Sequence, residues 1–326
     1  MPHQFRSLIV ALRDLRHPPR RALRQAAAIA RRSKGQVELL HVLATPSAYD
    51  SVRFSLKPAQ TQKDMVREAE TQLAKIARSA VLRGVEATVH ASWGYPAAEV
   101  IAQRAARRRA DLVIVETHRH TVGSRFFLNH ADWELIRICA APLLLVKAGR
   151  AYEGRNVLAA VDPFHRHAKP AHLDRRILDV AGALAALFRG QLHAAHVYVP
   201  LRMQMPMLAT ELAMAWFPPG AEARYADQVR ASLDRLLVHE GLPTRHAHLE
   251  EGEVSAGLQN AVRRSRAGIV VMGAVSRSGP KRLVLGSTVE RVLDALPCDV
   301  LVVKPRGFRT PPPTAGGTLF ASGPMP

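Results

Sequence analysis

"ADLVIVETHRH" (Ala110 to His120) is answered by "AGIVVMGAVSR" (Ala267 to Arg277), 157 positions further along the chain (110 to 267). Each is an unbroken aliphatic run followed by a polar loop, the pattern of a strand buried on both faces. The same spacing relates "APLLLVK" (Ala141 to Lys147) to "CDVLVVK" (Cys298 to Lys304). Upstream, "SLIVALRD" (Ser7 to Asp14) matches "NVLAAVDP" (Asn156 to Pro163), and "VELLHVL" (Val37 to Leu43) matches "QLHAAHVY" (Gln191 to Tyr198). A repeat of this length, kept in order, is a duplicated domain.

Between the strands, segments such as "DMVREAETQLAKIARSAVL" (Asp64 to Leu82) carry apolar residues three and four apart and predict helices. Strands buried on both faces and separated by helices require a parallel sheet with right-handed crossovers. The predicted fold class is α/β, with two tandem doubly wound parallel-sheet domains at 1–148 and 152–306. A linker is expected near Ala148 to Asn156. Residues 307–326 are rich in Pro and Gly and are expected to form a disordered tail.

Composition narrows the function. Hydrophobic residues make up 48% of 326, enough for two buried cores. No apolar run approaches the ~18 residues of a membrane span, so a cytoplasmic protein without membrane insertion is expected. The net charge is +19, and 25 of the 46 basic but only 12 of the 27 acidic residues lie in positions 1–150. This basic excess falls on helical segments such as "RAARRRAD" (Arg104 to Asp111), and aromatics are only 5% of the chain. It reads as solvated helix surface, so nucleic-acid binding is expected to be absent or non-specific. Cys139 and Cys298 each precede an apolar run and are expected as buried thiols. The His-x-His pairs 118/120, 165/167 and 246/248 lack an accompanying Cys or carboxylate cluster, so no metal motif is present. The Met-rich segment Arg202 to Gly220 reads as a covering helix, or else as a contact for a greasy ligand or a protein partner.

In an open parallel sheet, a ligand sits at the carboxyl ends of the strands. In the second half those ends bring forward Ala160 and Asp162, Val197 and Tyr198, and Gly273. The loop from Gly273 to Gly286 contains Ser276, Arg277, Lys281 and Arg282 and enters a helix at Ser287, where Glu290 completes a capping-box pattern. A helix start with free N–H groups attracts phosphate, and the basic side chains add countercharge. Neither a Walker A motif nor GxGxxG offers a competing nucleotide site.

The spacing Gly273, Ser276, Gly286, Ser287 resembles the nucleotide loop of the universal stress protein family, with serine in place of the second glycine. "AVD" (Ala160 to Asp162) and "CDVLVVKP" (Cys298 to Pro305) resemble that family as well. "THRH" and "DWELIRICAAPLLLVK" in the first half are similar to its tandem, E-type members. The resemblance implies a Rossmann-like fold of the adenine nucleotide alpha hydrolase-like kind. It also implies an ATP site in which Asp162 meets the adenosine, Val197 the base through its backbone, and the loop with Ser287 and Thr288 the phosphates. ATP is then a bound ligand rather than a turnover cofactor, and the chain is a stress-response regulator, not an enzyme. An unidentified protein partner, an intrachain pseudo-dimer and a homodimer are compatible with it. A scaffold or hydrophobic-ligand binder with relic loops, and a slow ATPase, stay as alternatives.

In the first half Glu116 replaces Gly273, Arg119 replaces Ser276, Asn129 replaces Gly286, His130 replaces Ser287, and Arg13 falls where Asp162 stands. This half is expected to keep the fold and to have lost the nucleotide.

Overall fold

Every aliphatic run compared above is a strand in the computed structural model, which describes residues 3–43, 60–117, 130–164, 172–204, 219–274 and 287–313. The described residues fall into two compact units, one of residues 150–300 and one of residues 3–149 with 301 onward. The grouping changes within the last strand.

The first unit runs β1 (Ser7–Leu12), α1 (Arg20–Ser33), β2 (Gln36–Leu43), α2 (Gln60–Ala77), β3 (Glu86–Trp93), α3 (Ala97–Arg108), β4 (Leu112–Glu116), α4 (His130–Ile138) and β5 (Leu143–Val146). Its strand order is β3-β2-β1-β4-β5. The recorded pairs are parallel, with β1 and β2 in register from Ser7↔Gln36 to Leu12↔His41. Burial explains the unalternating sequence: Leu8, Ile9, Val10, Val113, Ile114 and Val115 are all nearly inaccessible because helices cover both sheet faces. α1 buries Ala22, Ala26, Ala27, Ile29 and Ala30, and the small residues let it approach the sheet closely.

The second unit repeats this order. It runs β6 (Asn156–Ala160), α5 (Leu173–Leu187), β7 (Leu192–Tyr198), α6 (Ala221–His239), β8 (Ala247–Glu251), α7 (Val254–Ser265), β9 (Ala267–Gly273), α8 (Ser287–Ala295) and β10 (Asp299–Val303). The order β8-β7-β6-β9 is that of β3-β2-β1-β4 in the first unit, again parallel. The predicted doubly wound parallel arrangement is therefore observed in each unit.

Three local differences from the sequence reading have physical causes. The helix expected over Asp64 to Leu82 ends at Ala77, and Ala80–Leu82 is a separate 3₁₀ turn closed by Leu82 N–H to Ser79 O at 3.1 Å. Val197 and Tyr198, read as following a strand, belong to β7, because pairing with Glu250 and Glu251 of β8 extends it. Of the expected tail, residues 307–313 are described and contact the first unit: Thr310 Oγ1 accepts from Ala140 N–H, and Gln103 Nε2 donates to the Pro311 carbonyl. Residues 314–326, most of the Met-rich segment, and His118, His120, His165 and His167 lie outside the described residues.

Both cysteines are free and buried, and burial pushes the Cys139 thiol up to about 12. A thiol so far from ionisation is a packing group rather than a nucleophile. No helix among the described residues is long and apolar enough to cross a membrane.

Candidate functional site

The crevice of the second unit opens where β6 stops at Ala160 while β7 continues. Ala195 O still accepts from Val161 N–H at 2.9 Å, on the β6 side of β7. Tyr198 O accepts from Gly252 N–H at 2.9 Å, on the β8 side. Successive residues of a strand alternate direction, so the N–H and C=O of Val197 turn toward the side that β6 has vacated. Close packing of α7 fixes this stretch: a Cβ on Gly257 would lie 2.7 Å from Val197 Cγ1.

Asp162 follows on the same side. It is 8% exposed, and its Oδ1 is buried with no hydrogen-bond partner among the described residues. Its backbone N–H donates to Asp174 Oδ1 at 3.1 Å, which ties the strand exit to the first turn of α5. A buried carboxylate oxygen without a donor is costly, and a site that receives a hydroxyl or amino group from a ligand removes that cost. His196 lines the same region, 6% exposed, with Nδ1 3.0 Å from Val161 O and its ring 5.9 Å from that of Phe164. Sequence reasoning missed Asp174, Phe164 and His196. Asp174 could have been found as an acidic residue in the first turn of the helix that follows Asp162.

Gly273 ends β9, where close packing explains the glycine. It does not adopt positive φ. A Cβ there would meet Leu173 Cδ2 at 2.6 Å and Ile177 Cδ1 at 3.3 Å, so the glycine lets β9 pass close under the first turns of α5. Ala160, Asp162, Val197 and Gly273 are thus described, each at or just beyond the carboxyl end of its strand. Ser276, Arg277 and Gly286 lie outside the described residues. α8 begins at Ser287 as expected, but the side chains of Ser287, Thr288 and Glu290 are not described, so the capping box stays an expectation.

The matching region of the first unit is filled by its own side chains. Glu116, at the position of Gly273, turns to the first turn of α1: its carboxylate accepts from the N–H of Arg21 at 2.9 Å, the N–H of Ala22 at 3.0 Å and Arg21 Nε at 3.1 Å. Arg21 also donates to Lys147 O at 2.7 Å. Glu116 thus caps the first turn of α1 and pairs with its arginine. Arg13, at the position of Asp162, forms an ion pair with Asp132 in the first turn of α4, whose side chain is 1% exposed. Arg119 and Asn129 lie outside the described residues, as does the side chain of His130. No group of three or more His, Cys, Asp or Glu among the described residues could hold a metal ion.

Known proteins are similar to this chain over most of its length. Universal stress protein E of Photorhabdus laumondii is 22% identical over 310 residues, covering 94% of this chain and 97% of its own. Universal stress protein E of Escherichia coli K12 is 28% identical over 237 residues, 70% of this chain and 71% of its own. A putative universal stress protein from Pseudomonas aeruginosa UCBPP-PA14 has a solved structure similar at a TM-score of 0.66 and 22% identity, over 92% of this chain and 94% of that one. The profile of the universal stress protein family matches residues 4–147 and again 154–304. With both matches falling on the duplicated sheets, the chain belongs to the universal stress protein family and carries its domain twice.

Proposed function

We propose that this chain is a stress-response regulator whose second unit holds one adenine nucleotide, ATP being the expected form, and whose first unit holds none. The observation that carries the reading is the buried Oδ1 of Asp162, which has no hydrogen-bond partner among the described residues, beside the inward-turned backbone of Val197. A ribose hydroxyl satisfies the first and an adenine edge the second. The start of α8 supplies N–H groups for phosphate. Ser276, Arg277, Gly286, Ser287 and Thr288 complete the proposed site by their place in the loop pattern. The nucleotide is a held ligand without a dedicated catalytic cycle, and the chain works in the cytoplasm through a protein partner still to be identified.

Titration calorimetry with ATP tests this. A stoichiometry near one per chain is expected, and Asp162→Asn should weaken binding about tenfold, the ~1.4 kcal/mol of a charge-assisted hydrogen bond. A stoichiometry near two defeats the assignment of the first unit. Multiple-turnover phosphate release, lost on changing one loop residue, defeats the non-catalytic reading.

The contact of Gly273 with Leu173 favours a second reading, a scaffold whose loop is a relic, because packing alone accounts for that glycine. Folded protein that binds no nucleotide at millimolar concentration selects it.

A further inference from the structure

In a parallel α/β unit the helices run against the strands, so helix carboxyl ends and strand amino ends meet at the pole opposite the ligand crevice. The first unit gathers its basic residues there. α1 ends in Arg31, Arg32 and Lys34, and α3 ends in Arg107, Arg108 and Arg109, all exposed. Arg6 before β1 and Arg83 before β3 are exposed at the same pole. Hydrogen bonds bind these positions together. Arg31 Nη2 donates to Val81 O at 2.7 Å and to Arg83 O at 3.0 Å. Gln36 N–H donates to Arg6 O at 2.7 Å, and Asp111 accepts from Arg6 N–H at 2.9 Å.

The acidic residues of this pole are already engaged. Glu38 is buried and receives Arg104 and Arg108; Asp111 is held by the backbone of Arg6 and Ser7; Glu86 accepts from Gln36. Complementing the helix dipoles does not account for the excess. Two helix ends carry roughly one negative charge between them, against three cations on α1 and, with Arg108 paired to Glu38, two more on α3. Lys34 and Arg109 also sit at φ 53 and 49, the left-handed cap position where glycine is the usual residue and a β-carbon costs about 1 kcal/mol. Arg189 and Arg266 of the second unit share this conformation, so the number of cations, rather than their backbone, distinguishes the pole.

We propose that this pole of the first unit docks the phosphate backbone of duplex nucleic acid without reading its sequence. All of these cations except Lys34 are arginines, whose planar guanidinium meets phosphate in bidentate geometry. Among the described residues no exposed large hydrophobic lies at this pole, since Tyr95 follows β3 and Val199, Met203 and Val238 belong to the second unit. A bilayer surface would call for such anchors, and a single strand for stacking aromatics. The inference is independent of the nucleotide reading.

The test is fluorescence anisotropy of a labelled mixed-sequence duplex with the full chain, titrated from about 50 to about 200 mM salt. The variant combines Lys34→Gly, Arg109→Gly and Arg107→Gln. Its two glycines enter left-handed caps that favour them, and Arg108 stays on Glu38, so its melting temperature should not fall. Wild type should bind with a steep log–log salt slope. In the variant the slope should be shallower by about 2.7, near 0.9 per lost phosphate contact, and affinity at low salt at least tenfold weaker. Arg263→Gln with Arg266→Gly in the second unit should change neither. The proposal is overturned by no duplex binding at the lowest salt, by an unchanged slope in the variant, by equal losses in both variants, or by tighter binding to phosphatidylserine vesicles than to duplex.

Discussion

Arg13 and Asp132 form an ion pair across the mouth of the first unit's crevice, joining the exit of β1 to the first turn of α4. The position of Arg13 is taken in the second unit by Asp162, whose buried Oδ1 has no partner among the described residues. One crevice carries its own countercharge, and the other has an acceptor to spare.

Arg13→Ala leaves the Asp132 carboxylate buried without its arginine. We expect a loss of about 1–3 kcal/mol in urea-unfolding free energy, below the range for fully buried pairs because Arg13 is 34% exposed. Arg13→Ala with Asp132→Ala should recover part of that loss. Strict additivity of the two single substitutions would show that the pair does not couple.

Gly273→Ala should destabilise the second unit even in the absence of nucleotide, by about 1–3 kcal/mol, because its Cβ would lie 2.6 Å from Leu173 Cδ2. Pairing it with Leu173→Ala should relieve the clash. A Gly273→Ala protein of full stability would contradict the packing role assigned to this glycine.

Ser276→Gly should tighten ATP binding about fivefold, equivalent to the roughly 1 kcal/mol that a β-carbon costs in a left-handed conformation. Gly286→Val should abolish binding while circular dichroism stays that of the wild type, since a side chain before α8 intrudes on the anion. Unchanged affinity in both variants would mark the loop as a relic.

Acid should weaken the second unit through His193. Burial, then the nearby His246 and His248, push its imidazole down from 6.5 to about 4. Its ring stacks on His246 at 4.6 Å, and its Nδ1 lies 3.0 Å from His248 Nε2. Burial lowers His248 too; Glu250 opposes this, and Arg264, His246 and Arg230 add to it. The unfolded chain takes up protons first as pH falls below about 6.5, so stability present above that value is lost progressively toward pH 4. The melting temperature should drop between pH 7 and pH 5, and His193→Gln should shrink the drop. An equal drop in both proteins would remove His193 from the account.

The repeat, the order of elements along the chain and the parallel pairing were legible in the sequence, because β1, β4, β6 and β9 are buried on both faces and so spell aliphatic runs that match in pairs. The strand-end positions Ala160, Asp162, Val197 and Gly273 were legible for the same reason, since a crevice in such a sheet can lie only at the strand ends. Tertiary structure alone decided what those positions face. Gly273 meets Leu173 from a helix begun a hundred residues earlier in the chain, and Glu116 reaches back to Arg21 in the same way. Neither contact leaves a spacing signal, because each depends on how a helix returns across the sheet. Tertiary structure likewise turned scattered arginines at helix ends into a single cationic pole, because parallel crossovers bring every helix carboxyl end of a unit to the same side.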